Sequence, residues 1–443
     1  MKKRKILSAC LAMSLLSTAL IGCSSDVKTN EPSTTPATED KKEAGSKDTS
    51  TEQVTIKVAT WDATTTPLMG DITAEFEKLN PNIKVELIDV PAAEYPNKLS
   101  IMLNGGSDVD AFYIKQADTT LSFHNKGQLA DLSEYVKRDN IDLAQYNGLA
   151  ENFIFEDKIV GLPHRSDYYV LYYNKDIFDA AGLPYPSNDM TWQEFEETAK
   201  KLTTGEGADK NYGAFLHTWN ACVQNWAVAE GDRTIITDDY SFFKPYYEMA
   251  IRMQNEDKSI MDFATAKTAN IHYSGPFLSG DVGMMPMGTW FMGTIISKIN
   301  EGESDINWGV ATIPHADSIA TGNTVGATTP VAINNASKKK DAAWEYVKFV
   351  SGPQVADMIA NTGGIPAISN EEILTAVSKI EGMPEGVNEA LAVVNINLDR
   401  PISEKAGEVN KILEEEHGLI MLGETSIDDG LKAMQERVQE LIK

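Results

Sequence analysis

Residues 54 to 87 alternate in a way that a layered α/β structure satisfies. Val54, Ile56 and Val58 are separated by polar residues, the period-two pattern of a strand with one buried face. Ile72, Phe76 and Leu79 then recur at helical spacing, and Asn80-Pro81 stops the helix. Ile83, Val85 and Leu87 return to period two. Strand, helix and strand joined by short connections make a βαβ unit, whose apolar faces are buried by packing helix on sheet. A further strand is predicted from Val109 to Ile114.

The alternation restarts later. Gly161-Leu162-Pro163-His164-Arg165-Ser166-Asp167 leads into a strand from Tyr168 to Tyr173, and a short helix follows around Lys175 to Ala181. Thr191, with Glu194 three residues on, forms the capping box that opens another helix. A chain of 443 residues is too long for one ordinary core, so two α/β lobes are predicted. Trp308 to Pro314 reads as a strand, Thr321 to Thr329 as a Gly/Thr-rich stretch, and Val331 to Ile333 as the next strand. Ala343, Val347 and Val350 share a helical face, as do Leu431, Met434, Val438 and Leu441 in the last helix. No fixed-period repeat is visible.

The N-terminus carries different information. Lys2-Lys3-Arg4-Lys5 precedes an apolar run from Ile6 to Ile21 that is short for a permanent span, so residues 1–22 read as a signal peptide. Leu20-Ile21-Gly22-Cys23 resembles a bacterial lipobox. That resemblance implies cleavage before Cys23, diacylation of its sulfur, and a mature chain tethered by lipid outside the cytoplasmic membrane. An ordinary secretory signal with an incidental cysteine is the alternative. Residues 23–52 form the expected tether: after Cys23 they hold almost nothing large and apolar, so they cannot offset their ordering entropy and act as a flexible spacer. Cys10 leaves with the leader, which makes Cys222 the only free thiol, with no internal disulfide and the packing role of a small apolar residue.

Charge narrows the partners. Removing the leader's four positive charges takes the net charge from -26 to near -30, which repels nucleic acid and anionic headgroups and disfavours a strongly anionic ligand. No Gly-x-Ser-x-Gly, P-loop or dinucleotide fingerprint is present, and the six histidines show no His-x-x-x-His spacing. Asp108 and Asp110 are a carboxylate pair of the kind glycoside hydrolysis uses, although Asp-x-Asp occurs widely in strands. A binding protein without metal or cofactor is expected, rather than an enzyme.

Four further segments carry a resemblance. They are Ile72 to Val85; Gly161-Leu162-Pro163 through Leu171-Tyr172-Tyr173-Asn174-Lys175-Asp176 to Phe195; Phe277 to Trp290, with Gly280-Asp281-Val282-Gly283-Met284-Met285 and Gly288-Thr289-Trp290; and Trp344 to Pro353 followed by Gly363-Gly364-Ile365-Pro366. In order and spacing the chain resembles the family-1 extracellular solute-binding proteins of ABC importers, the group containing maltose-binding protein. Gly326-Ala327-Thr328 departs from the Gly-Gly pair that many members carry. The resemblance implies a two-lobe periplasmic-binding-protein-like fold of type II with a ligand cleft between the lobes. Three hinge crossings are expected near Ser166 to Val170, Asn323 to Ala327 and Thr362 to Ala367. Lobe 1 would hold residues 53–166 and 327–363, and lobe 2 residues 167–326 and 364–443.

A carbohydrate needs flat aromatic surface for its C–H faces and planar donors and acceptors for its hydroxyls. Trp61-Asp62 ends the first strand, where α/β sheets present their ligand edge, and Lys115-Gln116 ends the Val109 strand on the same rim. Arg165, Asp167 and Tyr168 sit at the first crossing, where Arg165 and Asp167 are also placed to pair with each other. Trp219-Asn220 follows strand-like Tyr212 to Leu216, and Thr328 and Thr329 lie near the second crossing. The resemblance makes Trp290 the family's site tryptophan. Trp226, Met284, Met285 and Met287 read as core. The implied cycle is sugar capture by a monomer, hinge closure and docking on permease subunits whose partners hydrolyse ATP. Presentation of ligand to a sensor, or binding of a polyamine, iron or glycerol phosphate, is the alternative.

Overall fold

The computed structural model describes residues 53–443 except 65, 66, 93, 107, 147, 232, 369 and 394. The expected signal peptide, Cys23 and the expected tether lie outside the described residues. Among those residues, no helix is long and apolar enough to cross a membrane.

In chain order the strands are β1 (Val54–Trp61), β2 (Ile83–Val90), β3 (Ala111–Tyr113), β4 (Ile154–Phe155), β5 (Lys158–Ile159), β6 (Leu162–Asn174), β7 (Tyr212–Ala214), β8 (Val282–Gly288), β9 (Trp308–Thr312), β10 (Asn323–Ile333) and β11 (Asn395–Leu398). The βαβ unit is present: β1 and β2 pair in parallel from Val54↔Ile83 to Trp61↔Val90, with the helix Pro67–Leu79 between them. β3 is shorter than its apolar run and pairs in parallel with β1 at Val58↔Ala111. β1 is buried on both faces, because Ile56 and Val58 enter the larger apolar cluster while Ala59 enters a smaller one around Tyr95, Phe112 and Phe153.

The sheet order β2-β1-β3-β10-β6-β8-β7 rests on two long strands. The first part of β6 pairs antiparallel with β10, from Leu162↔Val331 to Tyr168↔Gly326, and its second part pairs with β8 and β9. The C-terminal end of β10 pairs with β3 and its N-terminal end with β11. Both strands therefore begin earlier than the sequence pattern indicates. β6 starts at Leu162 and not at Tyr168, and β10 runs unbroken through the Gly/Thr-rich stretch. The physical reason is that polar residues in these stretches find partners in the sheet and in the helix packed on it. His164 Nδ1 lies 2.6 Å from the Val350 carbonyl oxygen, and Thr324 donates its hydroxyl to the Tyr169 carbonyl at 2.7 Å.

A third segment lies against this pair. Ser166 N–H donates to the Ile365 carbonyl at 3.1 Å, and Ala367 N–H donates to the His164 carbonyl at 3.1 Å. The three stretches named as crossings therefore run side by side. Gly326 sits between β6 and β11 so closely that a Cβ would come within 2.5 Å of the Asp167 carbonyl oxygen.

The remaining helices cover the sheet. Thr191 and Glu194 form the capping box, with the Glu194 amide donating to Thr191 Oγ1 at 3.2 Å and the Thr191 amide to Glu194 Oε2 at 2.9 Å. Such a cap is worth about 1 kcal/mol. Leu431, Met434 and Val438 are buried on one side of the final helix, Ile427–Ile442. Cys222, Trp226, Met284, Met285 and Met287 are all fully buried core residues, and burial pushes the Cys222 thiol up to about 12.

Candidate ligand-binding site

β8 ends at Gly288, and the helix Trp290–Asn300 begins two residues later. The Trp290 ring folds back across Gly288, where a Cβ would stand 1.9 Å from a ring carbon, so the glycine provides the seat for the indole. The indole N–H donates to the Tyr273 hydroxyl at 3.2 Å, and the ring meets Tyr169 edge-on at 5.5 Å between centroids. These contacts fix the plane of a half-buried ring. Tyr273 in turn touches Trp219 at 5.7 Å, and Trp219 packs on His217 at 4.3 Å. Trp219 keeps 39% of its surface open, a large flat face held on an aromatic base. Burial, with His272 beside it, pulls the His217 imidazole down to about 4, so it is neutral near pH 7.

Arg165 and Asp167 occupy the same face of β6 and form an ion pair, Nε to Oδ2 at 2.8 Å. Buried Asp167 also accepts from the Thr289 hydroxyl at 3.3 Å, which ties it to the residue before Trp290. Burial raises the Asp167 carboxyl, and the Arg165 guanidinium opposes that rise. Both groups lie within electrostatic reach of Tyr273. Tyr168 points elsewhere: it is buried and donates its hydroxyl to the Leu391 carbonyl at 3.0 Å. Thr328 pairs with Ser166 across β10 and β6 and is buried, as is Thr329.

The ends of β1 and β3 make a neighbouring wall. Trp61 packs on Tyr95 at 5.2 Å, and Lys115 Nζ stands 5.8 Å from the Trp61 ring. Lys115 donates to the Ala92 carbonyl at 2.8 Å, while the Ala92 amide donates to Asp62 Oδ1 at 2.9 Å. Burial lowers the Lys115 ammonium, nearby Asp62 opposes this, and Arg165 is close enough to add to it. Gln116 is exposed at the rim. Asp62 has φ +52°, which turns the chain sharply at the strand end.

A strap that follows β11 brings residues that sequence reasoning missed. Arg400 donates through Nε to Asn410 Oδ1 at 2.7 Å and through Nη1 to Asn225 Oδ1 at 3.2 Å. Its second arm, Nη2, reaches Asn220 Oδ1 at 3.5 Å. Asn220 also donates to Gln224 at 2.9 Å, Gln224 to the Tyr247 hydroxyl at 2.9 Å, and that hydroxyl lies 3.1 Å from His417 Nδ1. Asn225 is fully buried, yet its Nδ2 has no hydrogen-bond partner among the described residues. Asp399 and Arg400 act electrostatically on Tyr169 and on buried Asp118, whose carboxyl is pushed up to about 6 by burial and then by Asp399, with Arg400 opposing. Arg400 and its partners are 10 to 180 residues apart in sequence, and no periodicity marks them.

Trp61, Asp62, Lys115, Arg165, Asp167, Trp219, Asn220 and Trp290 are thus linked through these contacts, with Tyr169, Tyr273, Asp118 and Arg400 between them. Three cations, Lys115, Arg165 and Arg400, face four carboxylates, Asp62, Asp118, Asp167 and Asp399, so there is no surplus of positive charge. Asp108 and Asp110 lie apart from this group. Asp108 pairs with Lys57 at 3.0 Å, and buried Asp110 accepts from the Ser337 hydroxyl at 2.6 Å and Lys339 Nζ at 3.2 Å.

Comparison with known proteins agrees with this architecture. The sequence model of the family described as bacterial extracellular solute-binding protein matches residues 61–357. The chain is similar to a sugar transporter of Rhizobium etli solved in an open conformation, at 42% identity over 87% of this chain and 99% of that one, with a TM-score of 0.77. It is similar in fold to an ABC substrate-binding protein of Listeria monocytogenes in complex with cycloalternan, at 23% identity over 88% and 99% of the two chains and a TM-score of 0.77. It is also similar to the sn-glycerol-3-phosphate-binding periplasmic protein of Rhizobium meliloti, at 23% identity over 70% of this chain and 75% of that one.

Proposed function

The chain belongs to the bacterial extracellular solute-binding proteins of ABC transporters, with their two-lobe α/β fold, and we propose that it captures a neutral mono- or oligosaccharide and hands it to a permease. The observation that carries this reading is the pairing of fixed aromatic faces with polar groups among which acidic side chains outnumber the cations. Trp290 and Trp219 offer stacking surface, while Arg165, Asp167, Lys115 and Asn220 offer donors and acceptors whose geometry is set by their own bonds. A misplaced sugar hydroxyl would leave one such group unpaired, at about 1–3 kcal/mol. Micromolar binding corresponds to about −8 kcal/mol, within reach of a few hydrogen bonds and one or two stacked rings.

In this reading the two lobes divide as residues 53–166 with 327–363 and residues 167–326 with 364–443. Closure bends the three adjacent segments at Ser166 to Val170, Asn323 to Ala327 and Thr362 to Ala367. The closed monomer docks on the permease, and the chain breaks no bond itself. Lipid on Cys23 holds it at the outer face of the cell membrane.

The R. meliloti relative raises glycerol phosphate as a second reading. A phosphate dianion asks for surplus cations, and the excess of acidic side chains over cations among the site's residues speaks against it. A thermal-shift screen over neutral sugars, oligosaccharides, glycerol phosphate and polyamines decides between them. A true ligand raises Tm with the logarithm of its concentration over Kd. Stabilisation by glycerol phosphate alone would overturn the sugar reading.

A further inference from the structure

A concavity of about 420 Å³ opens beside the strap that carries Arg400. Asn152 and Phe155 line it from the β4 region, and Asn397, Leu398 and Ile402 line it from β11 and the strap. Its size falls in the range of small-molecule sites, roughly 300–1,000 Å³. Phe155 and Ile402 rest on the same apolar cluster, and Phe155 is backed by His124 at 5.3 Å, so its half-buried ring is held in place.

The lining chemistry selects the ligand class. Phe155, Leu398 and Ile402 supply apolar surface, and the side-chain amides of Asn152 and Asn397 supply planar donors and acceptors. Asn397 is itself positioned by donating to the Ala229 carbonyl at 3.3 Å. Arg233 at the rim is not a free cation, because it pairs with Asp239 at 3.3 Å and lies over the Phe242 ring at 5.2 Å. Glu151 and Thr234 also line the pocket, so the combination fits a neutral polyhydroxylated ring, and the Glu151 carboxylate beside Arg233 disfavours an anion.

The strap joins this pocket to the site already described. Asn397, Leu398 and Ile402 line the pocket, while Asp399 and Arg400 between them belong to the polar network around Asn220. We propose that the pocket is an additional sugar subsite, so that the ligand is an oligosaccharide long enough to cross the strap from Trp219 and Trp290 to Phe155. This rests on the sugar-binding reading above.

Calorimetric titration of the folded chain with glucose and with the maltose, isomaltose and cellobiose series up to six units tests it. In whichever series binds, affinity is expected to rise at least tenfold with length. Phe155→Ala, which removes the ring, and Asn152→Trp, which fills the space, should each weaken the long members at least fivefold while leaving the shortest binding member within twofold. Equal effects on long and short members, or no effect in either variant at unchanged Tm, overturns the subsite and leaves sugar binding intact. A wild-type chain that binds no glycan overturns both.

Discussion

The ring of Trp290 rests on the bare backbone of Gly288, and the fit works only because that position has no side chain. Two substitutions therefore report on one surface. Trp290→Ala removes the ring, and Gly288→Ala leaves the ring but lifts it. Each is expected to weaken sugar binding at least tenfold, about 1.4 kcal/mol, by calorimetry, with a native circular-dichroism spectrum. Unchanged affinity in folded Trp290→Ala would remove the indole from the site.

Arg400 gathers Asn220, Asn225 and Asn410 with one planar fork. Arg400→Met keeps most of the stem and leaves three amide oxygens without their shared donor. Urea unfolding should show a loss of about 1–3 kcal/mol, and ligand affinity should fall at least tenfold. Arg400→Lys should recover little of either, since a single ammonium cannot span the three partners. Full rescue by lysine would mean that charge alone matters.

Asp118 gives a pH signature. Its carboxyl sits at about 6 in the fold against an ordinary value of 3.8. The folded state holds that proton more tightly, so this residue lowers stability as pH rises from about 4 to about 6, by an amount on the order of 2–3 kcal/mol. Asp118→Asn should raise the unfolding free energy at pH 7–8 and give no gain below pH 4. A variant equally or less stable at pH 7 would show that the charged carboxylate is wanted there.

Two buried histidines act with the opposite sign. Burial takes His164 down to about 4 and His417 to about 3, both from 6.5. Each contributes stability that is complete above pH 6.5 and is lost as the pH falls toward those values, on the order of 3 kcal/mol for His164 and 5 kcal/mol for His417. Urea titrations from pH 7 to 4 should show stability falling, and His164→Gln should flatten the slope. No change in slope would mean that His164 already binds its proton in the fold.

Cys23→Ala tests the tether. In cell fractionation the variant should leave the membrane pellet and appear in the soluble extracytoplasmic fraction or the medium. Retention in the membrane would point to another anchor.

The βαβ opening was legible because Val54, Ile56 and Val58 obey a local period, and local periods survive any tertiary context. The early start of β6 was not, because His164, Arg165, Ser166 and Asp167 break the alternation and are accommodated by partners such as Val350 that lie 186 residues away. Capping at Thr191 was readable for the same reason as the strands: it is settled within three residues. Trp61 and Trp219 could be nominated from side-chain chemistry and position, and Trp290 from the resemblance. Arg400, Tyr273 and Asp118 could not, since their roles exist only where distant segments meet. Tyr168 illustrates the reverse case, a site candidate by position whose hydroxyl is committed to the Leu391 carbonyl.

The strap after β11 has one more implication. It contributes Arg400 to one neighbourhood and Ile402 to another, yet only Asn395 to Leu398 is bonded into the sheet as a strand, alongside β10. In the sugar-binding reading, one share of recognition thus sits in a short cassette that can be rewritten while the pairing of β6 with β10 stays as it is. An engineer seeking a biosensor for a different glycan has that short stretch to randomise first, with Arg165 and Asp167 on β6 left untouched.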